Sequence, residues 1–213
     1  MDAPAMISEL NDHGFTDSTN TRKVGMLNDA LYDAASRQPW SFLETSLNLT
    51  FSGSSGLATN FPANHRALID LVDLTNQNLP LEWVRLDDLD TRGTDYTDTG
   101  SPIVYYFIGK DLYVWPVPSA SASVRLRYFR VPATLTESTT ESAVEWPIRH
   151  HRLLVLGALY RLYDLEDDPE LSLRFQQHFE QRLQSMLEDV SVRQYDRHDN
   201  IGIDPWFDID TYE

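Results

Sequence analysis

Val24, Leu27, Leu31, Ala34 and Ala35 recur at spacings of three and four, which places them on one face of a helix. Pro39 ends that pattern, because a proline forces the residue before it out of the helical region. Further on, Leu47, Leu49 and Phe51 alternate with Ser46, Asn48 and Thr50, the period of a half-buried strand. Within RQPWSFLETSLNLTF, Arg37 to Phe51, the chain therefore turns from helix to strand at an aromatic pair, Trp40 and Phe42. Upstream, Met6, Ile7 and Leu10 mark a shorter amphipathic helix that breaks at His13-Gly14, and TDSTNT offers several N-cap residues for the helix that ends near Arg37.

From Glu44 to about Thr136 the pattern is mostly β: ETSLNLTF, RALIDLVDL, LEWV, SPIVYYFI, DLYVWPVP and SVRLRYFRVP. SGSSG, Gly109-Lys110-Asp111 and the Pro116–Ser119 corner supply turn chemistry between them. The pair PIVYYFIGKDLYVWP predicts a hairpin closed around Gly109, and RLDDLDTRG predicts a short helix or turn. This middle third is expected to form one antiparallel module. The polar segment Thr91–Gly100, TRGTDYTDTG, acquires no role from its pattern.

At Trp146-Pro147 the helical period returns. Pro147 suits the first position of a helix, and Leu153 to Tyr160 are almost wholly apolar, the mark of a helix buried on more than one side. Asp167-Asp168-Pro169 ends that helix and starts another, whose stripe is Leu171, Phe175, Phe179, Leu183, Met186, Leu187 and Val190. The two should form an antiparallel hairpin. The last segment, QYDRHDNIGIDPWFDIDTYE, has no sustained period, and Gly202 and Pro205 favour an extended path. It is acidic yet holds Ile201, Ile203, Trp206, Phe207, Ile209 and Tyr212, so it predicts an interaction arm that orders only against a partner.

The expected fold class is α+β: a small helical bundle (1–43 and 147–193) with an inserted antiparallel β module (44–136) and an extended C-terminal arm (194–213). At 213 residues, 41% hydrophobic and 11% aromatic, the chain can bury a substantial core. No apolar run approaches the roughly 20 residues of a membrane span, and MDAPAMISEL lacks the regions of a signal peptide, so a soluble, cytoplasmically made protein is expected. The absence of cysteine excludes disulfides and thiolate chemistry. A net charge of −16, from 33 acidic and 17 basic side chains, argues against tight binding to a phosphate backbone. It suits solubility, a surface that nucleic acid passes without sticking, or docking on a basic partner.

Candidate chemistry is sparse. His150 and His151 are adjacent, so on a helix they point about 100° apart and cannot easily chelate one ion. His65, His178 and His198 are scattered, with no zinc spacing. The acidic pairs Asp87-Asp88, Asp167-Asp168 and Glu188-Asp189 each fit a turn, a helix start or a solvated face, although a glycosidase also needs two carboxylates about 5 to 10 Å apart. No nucleophile elbow, phosphate loop or dinucleotide fingerprint occurs. Arg125 and Arg127 share one strand face, which either meets carboxylates of a neighbouring subunit or is solvated.

Four stretches taken in order, MLNDALYDAASRQPWSFLET (Met26–Thr45), LPLEWVRLDDLD (Leu79–Asp90), GSPIVYYFIGKDLYVWPVPSASASVRLRYFRVP (Gly100–Pro132) and LLVLGALYRLYDLEDDPE (Leu153–Glu170), resemble the head-to-tail adaptor (connector, neck) proteins of tailed bacteriophages. The resemblance covers roughly Met6 to Val190. It implies a structural, non-enzymatic virion protein without cofactor or metal. Such a protein assembles as a ring of about twelve copies, docks under the portal protein, extends the DNA channel and offers a surface to tail or neck proteins. Its place would be the neck of the virion, after synthesis in the host cytoplasm. On that reading the Trp40 corner is where the chain leaves the bundle. Leu156, Leu159, Arg125 and Arg127 are then expected at subunit interfaces, and Trp206, Phe207, Ile209 and Tyr212 against a partner. The competing readings are a cell-wall glycoside hydrolase and a carbohydrate- or peptide-binding module on the aromatic β segment.

Overall fold

Asp2 and Thr19 start the first two helices by the same device. Asp2 Oδ1 accepts the Ala5 amide at 2.9 Å to begin α1 (Ala3–Asp12), and Thr19 Oγ1 accepts the Arg22 amide at 3.3 Å to begin α2 (Asn20–Ser36). Between them Gly14, at φ 100°, takes the left-handed conformation that lets the chain turn sharply out of α1. The computed structural model describes residues 1–53, 55–75, 79–91 and 97–199, with residues 190–199 described by backbone alone. The chain divides into two units, one formed by Met1–Arg37 with the chain from Ala133 onward, the other by Gln38–Pro132.

In the first unit the predicted faces are the buried ones: Met6, Ile7 and Leu10 on α1, and Val24, Leu27, Leu31, Ala34 and Ala35 on α2. Where the chain re-enters this unit, the buried Asn28 amide pairs with both backbone groups of Leu135, donating to its carbonyl at 3.1 Å and accepting its amide at 2.7 Å. Pro147 does not open the next helix. It stays extended (ψ 128°), a 3-10 turn follows at Ile148–His150, and α4 runs His151–Leu165. The reason is local: His151 Nε2 lies 2.7 Å from the Trp146 carbonyl and ties the start of the helix back to the preceding segment. Asp168 Oδ1 then accepts the Leu171 amide at 3.0 Å and caps α5 (Pro169–Asp199).

Helices α4 and α5 fold back antiparallel, as the pairs Tyr163–Phe175 (5.3 Å, stacked) and Tyr160–Phe179 (5.9 Å) show. Gly157 sets their closeness. A Cβ there would lie 2.6 Å from Ala30 Cβ on α2 and 3.0 Å from the Phe179 ring on α5. Helix α4 is apolar around most of its circumference because α2 and α5 cover it from different sides, burying Leu153, Leu154, Val155, Ala158 and Leu162. Helix α5 continues past residue 193, where the loss of apolar period predicted its end, since no helix-breaking residue occurs before Gly202. The predicted arm thus begins, from 194 to 199, as helix, and residues 200–213 lie outside the described residues.

In the second unit the strands fall where alternation placed them, but the module is two sheets. β1 (Glu44–Phe51), β2 (His65–Asp73), β3 (Leu79–Pro80) and β7 (Ala122–Arg130) form one antiparallel sheet in the order β1-β7-β2-β3. β4 (Glu82–Trp83), β5 (Val104–Ile108) and β6 (Asp111–Trp115) form the other in the order β4-β5-β6. The segment LEWV, expected as one strand, is where the chain changes sheets. Leu79–Pro80 pairs antiparallel with β2, the Leu81 amide donates to the Leu71 carbonyl at 2.8 Å, and Glu82–Trp83 pairs parallel with β5. That parallel pair corrects the wholly antiparallel expectation.

β5 and β6 form the predicted hairpin, with Gly109 at φ 63° in the turn. Leu49, Phe51, Leu71, Leu112, Val114, Val124 and Leu126 make the core shared by the two sheets. A second cluster of Val84, Leu89, Val104 and Tyr106 includes Leu89 of the short helix α3 (Leu86–Thr91) predicted in RLDDLD. Trp40 is fully buried, its ring 5.7 Å from that of Phe42.

Candidate assembly surfaces

The hairpin of α4 and α5, with α1 beside it, leaves an open groove of about 420 Å³. Its floor is apolar: Leu156, Leu159, Tyr163, Leu171 and Phe175. The Tyr163 and Phe175 rings stack at 5.3 Å and 5°, His13 meets Phe175 edge-on at 5.4 Å, and the Tyr163 hydroxyl donates to the His13 carbonyl at 3.1 Å. The rim is basic, formed by Arg152, Arg174 and His178. Glu9 is the carboxylate of this lining and lies 3.3 Å from Arg152 Nε. A shallower depression of about 400 Å³ continues the groove, sharing Arg152, Leu156 and His178 and adding Gln181, Arg182 and Ser185.

The two leucines expected at a subunit interface are not equivalent. Both touch the groove, but Leu159 is 1% exposed and enclosed by its own chain beneath the floor, whereas Leu156 is half-buried and faces the opening. The sequence separates them poorly, because both lie in one uninterrupted apolar run. Arg125 is exposed on β7, whereas Arg127 is held within the chain. Its guanidinium reaches Glu44 Oε1 on β1 at 2.6 Å and Asp70 Oδ2 on β2 at 3.0 Å, because β7 lies between those strands. The Glu44 hydrogen bond and the Asp70 charge raise its pKa further. The carboxylates expected from a neighbouring subunit are thus supplied to Arg127 by its own sheet. Trp206, Phe207, Ile209 and Tyr212 lie outside the described residues.

One surface residue escaped the sequence pattern. Trp83 on the two-residue strand β4 is 56% exposed, near Ile103, also more than half exposed on the segment whose carbonyl accepts the Glu82 amide. Its signal was hidden because LEWV reads as a continuous strand, whereas the change of sheet at Leu81 turns Trp83 outward.

The two adjacent histidines serve different partners. His150 Nε2 lies 3.3 Å from Asp189 Oδ2, which also receives Arg149 Nη2 at 2.6 Å. His151 is turned the other way, between the Trp146 and Met1 carbonyls at 2.7 Å each. Of the acidic pairs, Asp87 meets Arg85 at 3.2 Å, Asp168 caps α5, and Asp189 binds the Arg149–His150 pair. Among the described residues no group of three or more His, Asp or Glu could hold a metal ion, and no helix is long and apolar enough to cross a membrane.

No curated protein matches the chain. The family model described as SU10 adaptor protein matches residues 2–202, which takes in the helical unit, the whole inserted β unit and the return through α5. With that match running through both units of an α+β chain in which helices precede and follow a β insertion in sequence, the chain belongs to the SU10 adaptor protein family, a family of phage head-to-tail adaptors.

Proposed function

We propose that this adaptor assembles as a ring of about twelve copies in the virion neck, docks beneath the portal protein, prolongs the DNA channel and presents the attachment surface for the tail. The observation that carries the reading is the family match across residues 2–202, which makes the protein a structural phage adaptor and spans both units. The surfaces support it. The α4–α5 groove offers an apolar floor with a basic rim, and Trp83 is an exposed aromatic of the kind that anchors interfaces. A net charge of −16 suits a channel wall that DNA passes without sticking. The protein would be made in the host cytoplasm and join the particle at its neck.

Light scattering and negative-stain imaging of the purified chain, alone and with purified portal protein, test this. The expected result is a ring, formed alone or on the portal, stacked coaxially with it. A chain that stays monomeric and passes through a portal mixture unbound would overturn the reading.

A further inference from the structure

We propose that the groove between α4 and α5 is the receptor for residues 200–213 of a neighbouring copy, so that each subunit of the ring inserts its acidic, aromatic C-terminal segment into the next. This rests on the ring reading above and names the contact that closes the ring.

The groove and the segment are complementary in charge and in kind. Within a chain of net charge −16, the groove and its continuation carry Arg152, Arg174 and Arg182, with His13 and His178, against the single carboxylate Glu9. Residues 200–213 carry Asp204, Asp208, Asp210 and Glu213 and no basic side chain. Their apolar members, Trp206, Phe207, Ile209 and Tyr212, match a floor of Leu156, Leu171 and the stacked Tyr163–Phe175 pair. Interfaces of this type place aromatic anchors in a water-excluding centre and leave charged pairs at the rim, where they set register and partner choice.

Chain length decides between a chain's own segment and a neighbour's. Helix α5 runs to Asp199, so Phe175 on the groove floor lies roughly 36 Å of helix before its end. From Asp199 a fully extended chain reaches Trp206 in about 25 Å. Trp206 and Phe207 of one chain therefore stop short of Phe175 in their own groove and only Tyr212, about 45 Å out when fully extended, passes it, so one chain does not seat its anchors together on its own Tyr163–Phe175 floor. A ring sets another copy's groove alongside, and one subunit giving its segment while receiving the next is the head-to-tail contact that a closed ring requires.

The experiment uses the full chain with Phe207 replaced by the photoreactive p-benzoylphenylalanine, prepared with natural and with nitrogen-15 isotopes and mixed before assembly, alone and on purified portal. After irradiation, mass spectrometry reads which peptides are joined. The inference expects mixed-isotope cross-links from position 207 to the peptides containing Leu156, Leu171 or Phe175. It also expects the double variant Arg174→Glu, Arg182→Glu, two exposed positions, to lower their yield at least about tenfold with an unchanged melting curve. Cross-links confined to one isotope, placed elsewhere on the neighbour, or made to portal protein overturn it while leaving the ring intact. A chain that forms no ring under either condition overturns both this inference and the ring reading.

Discussion

Gly157 shows how one residue fixes the spacing of three helices. With Ala30 Cβ 2.6 Å and the Phe179 ring 3.0 Å from where its own Cβ would stand, any side chain must push α2 or α5 away. Gly157→Val is expected to destabilise the chain by about 1 to 3 kcal/mol, the usual effect of overpacking a closed core, read from the urea midpoint. An unchanged midpoint would mean that the helices yield at no cost. His150 gives the residue scale a pH signature. Burial lowers its pKa, opposed by the hydrogen bond that His150 donates to the Asp189 carboxylate and assisted by the charges of Arg149 and Arg182. The unfolded chain therefore takes the proton first, near the ordinary value of about 6.5. Stability from this group is complete above that pH and is lost as the pH falls through the lowered folded value. Between about pH 7.5 and pH 5, wild type should lose more stability than His150→Gln; equal losses would show that His150 is indifferent to its surroundings.

At the scale of elements, α4 illustrates why an apolar run is ambiguous. Periodicity shows that the helix is covered on several sides and leaves open whether the cover is the same chain or another. Here α2 and α5 supply most of it, leaving the stretch around Leu156 facing a groove. The two leucines should therefore separate under the same substitution. Leu159→Asp buries an unpaired charge and should unfold the chain, a loss of several kcal/mol visible by circular dichroism. Leu156→Asp should keep the helical signal and impair assembly, since its side chain is half-buried at the groove. If both variants fold and assemble alike, the distinction between core and groove is wrong. The β unit teaches a parallel lesson at Leu81. Alternation located LEWV as extended chain, but only the pairing partners, β2 before it and β5 after it, reveal that the segment joins two sheets.

For the whole molecule, an excess of carboxylates makes like-charged copies repel one another, so the proposed assembly needs local sites where the sign reverses. The basic rim of the α4–α5 groove is such a site. Deleting residues 200–213 should leave the unfolding midpoint within about 0.5 kcal/mol of wild type, because that segment's apolar side chains are assigned to another subunit's groove. Ring formation should be lost or need much higher protein concentration. A truncated chain that melts far below wild type would place the segment in the chain's own fold, and one that forms rings normally would remove it from assembly.

The sequence by itself determined the secondary structure and its order. Helices α1 and α2, the strand runs, the Gly109 hairpin, the short helix in RLDDLD and the cap at Asp168 all follow from local period, turn chemistry and capping, which depend on neighbours a few residues away. The order of those pieces was also enough to suggest the adaptor family. What the tertiary structure decided depends on residues far apart in the chain. Asn28 finds the backbone of Leu135 from more than a hundred residues away, and Arg127 finds Glu44 and Asp70 only because β7 is threaded between β1 and β2. The split of the strands into two sheets, the outward turn of Trp83 and the difference between Leu156 and Leu159 have the same origin. A local pattern records that a side chain will be covered or paired, and the long-range packing chooses with what.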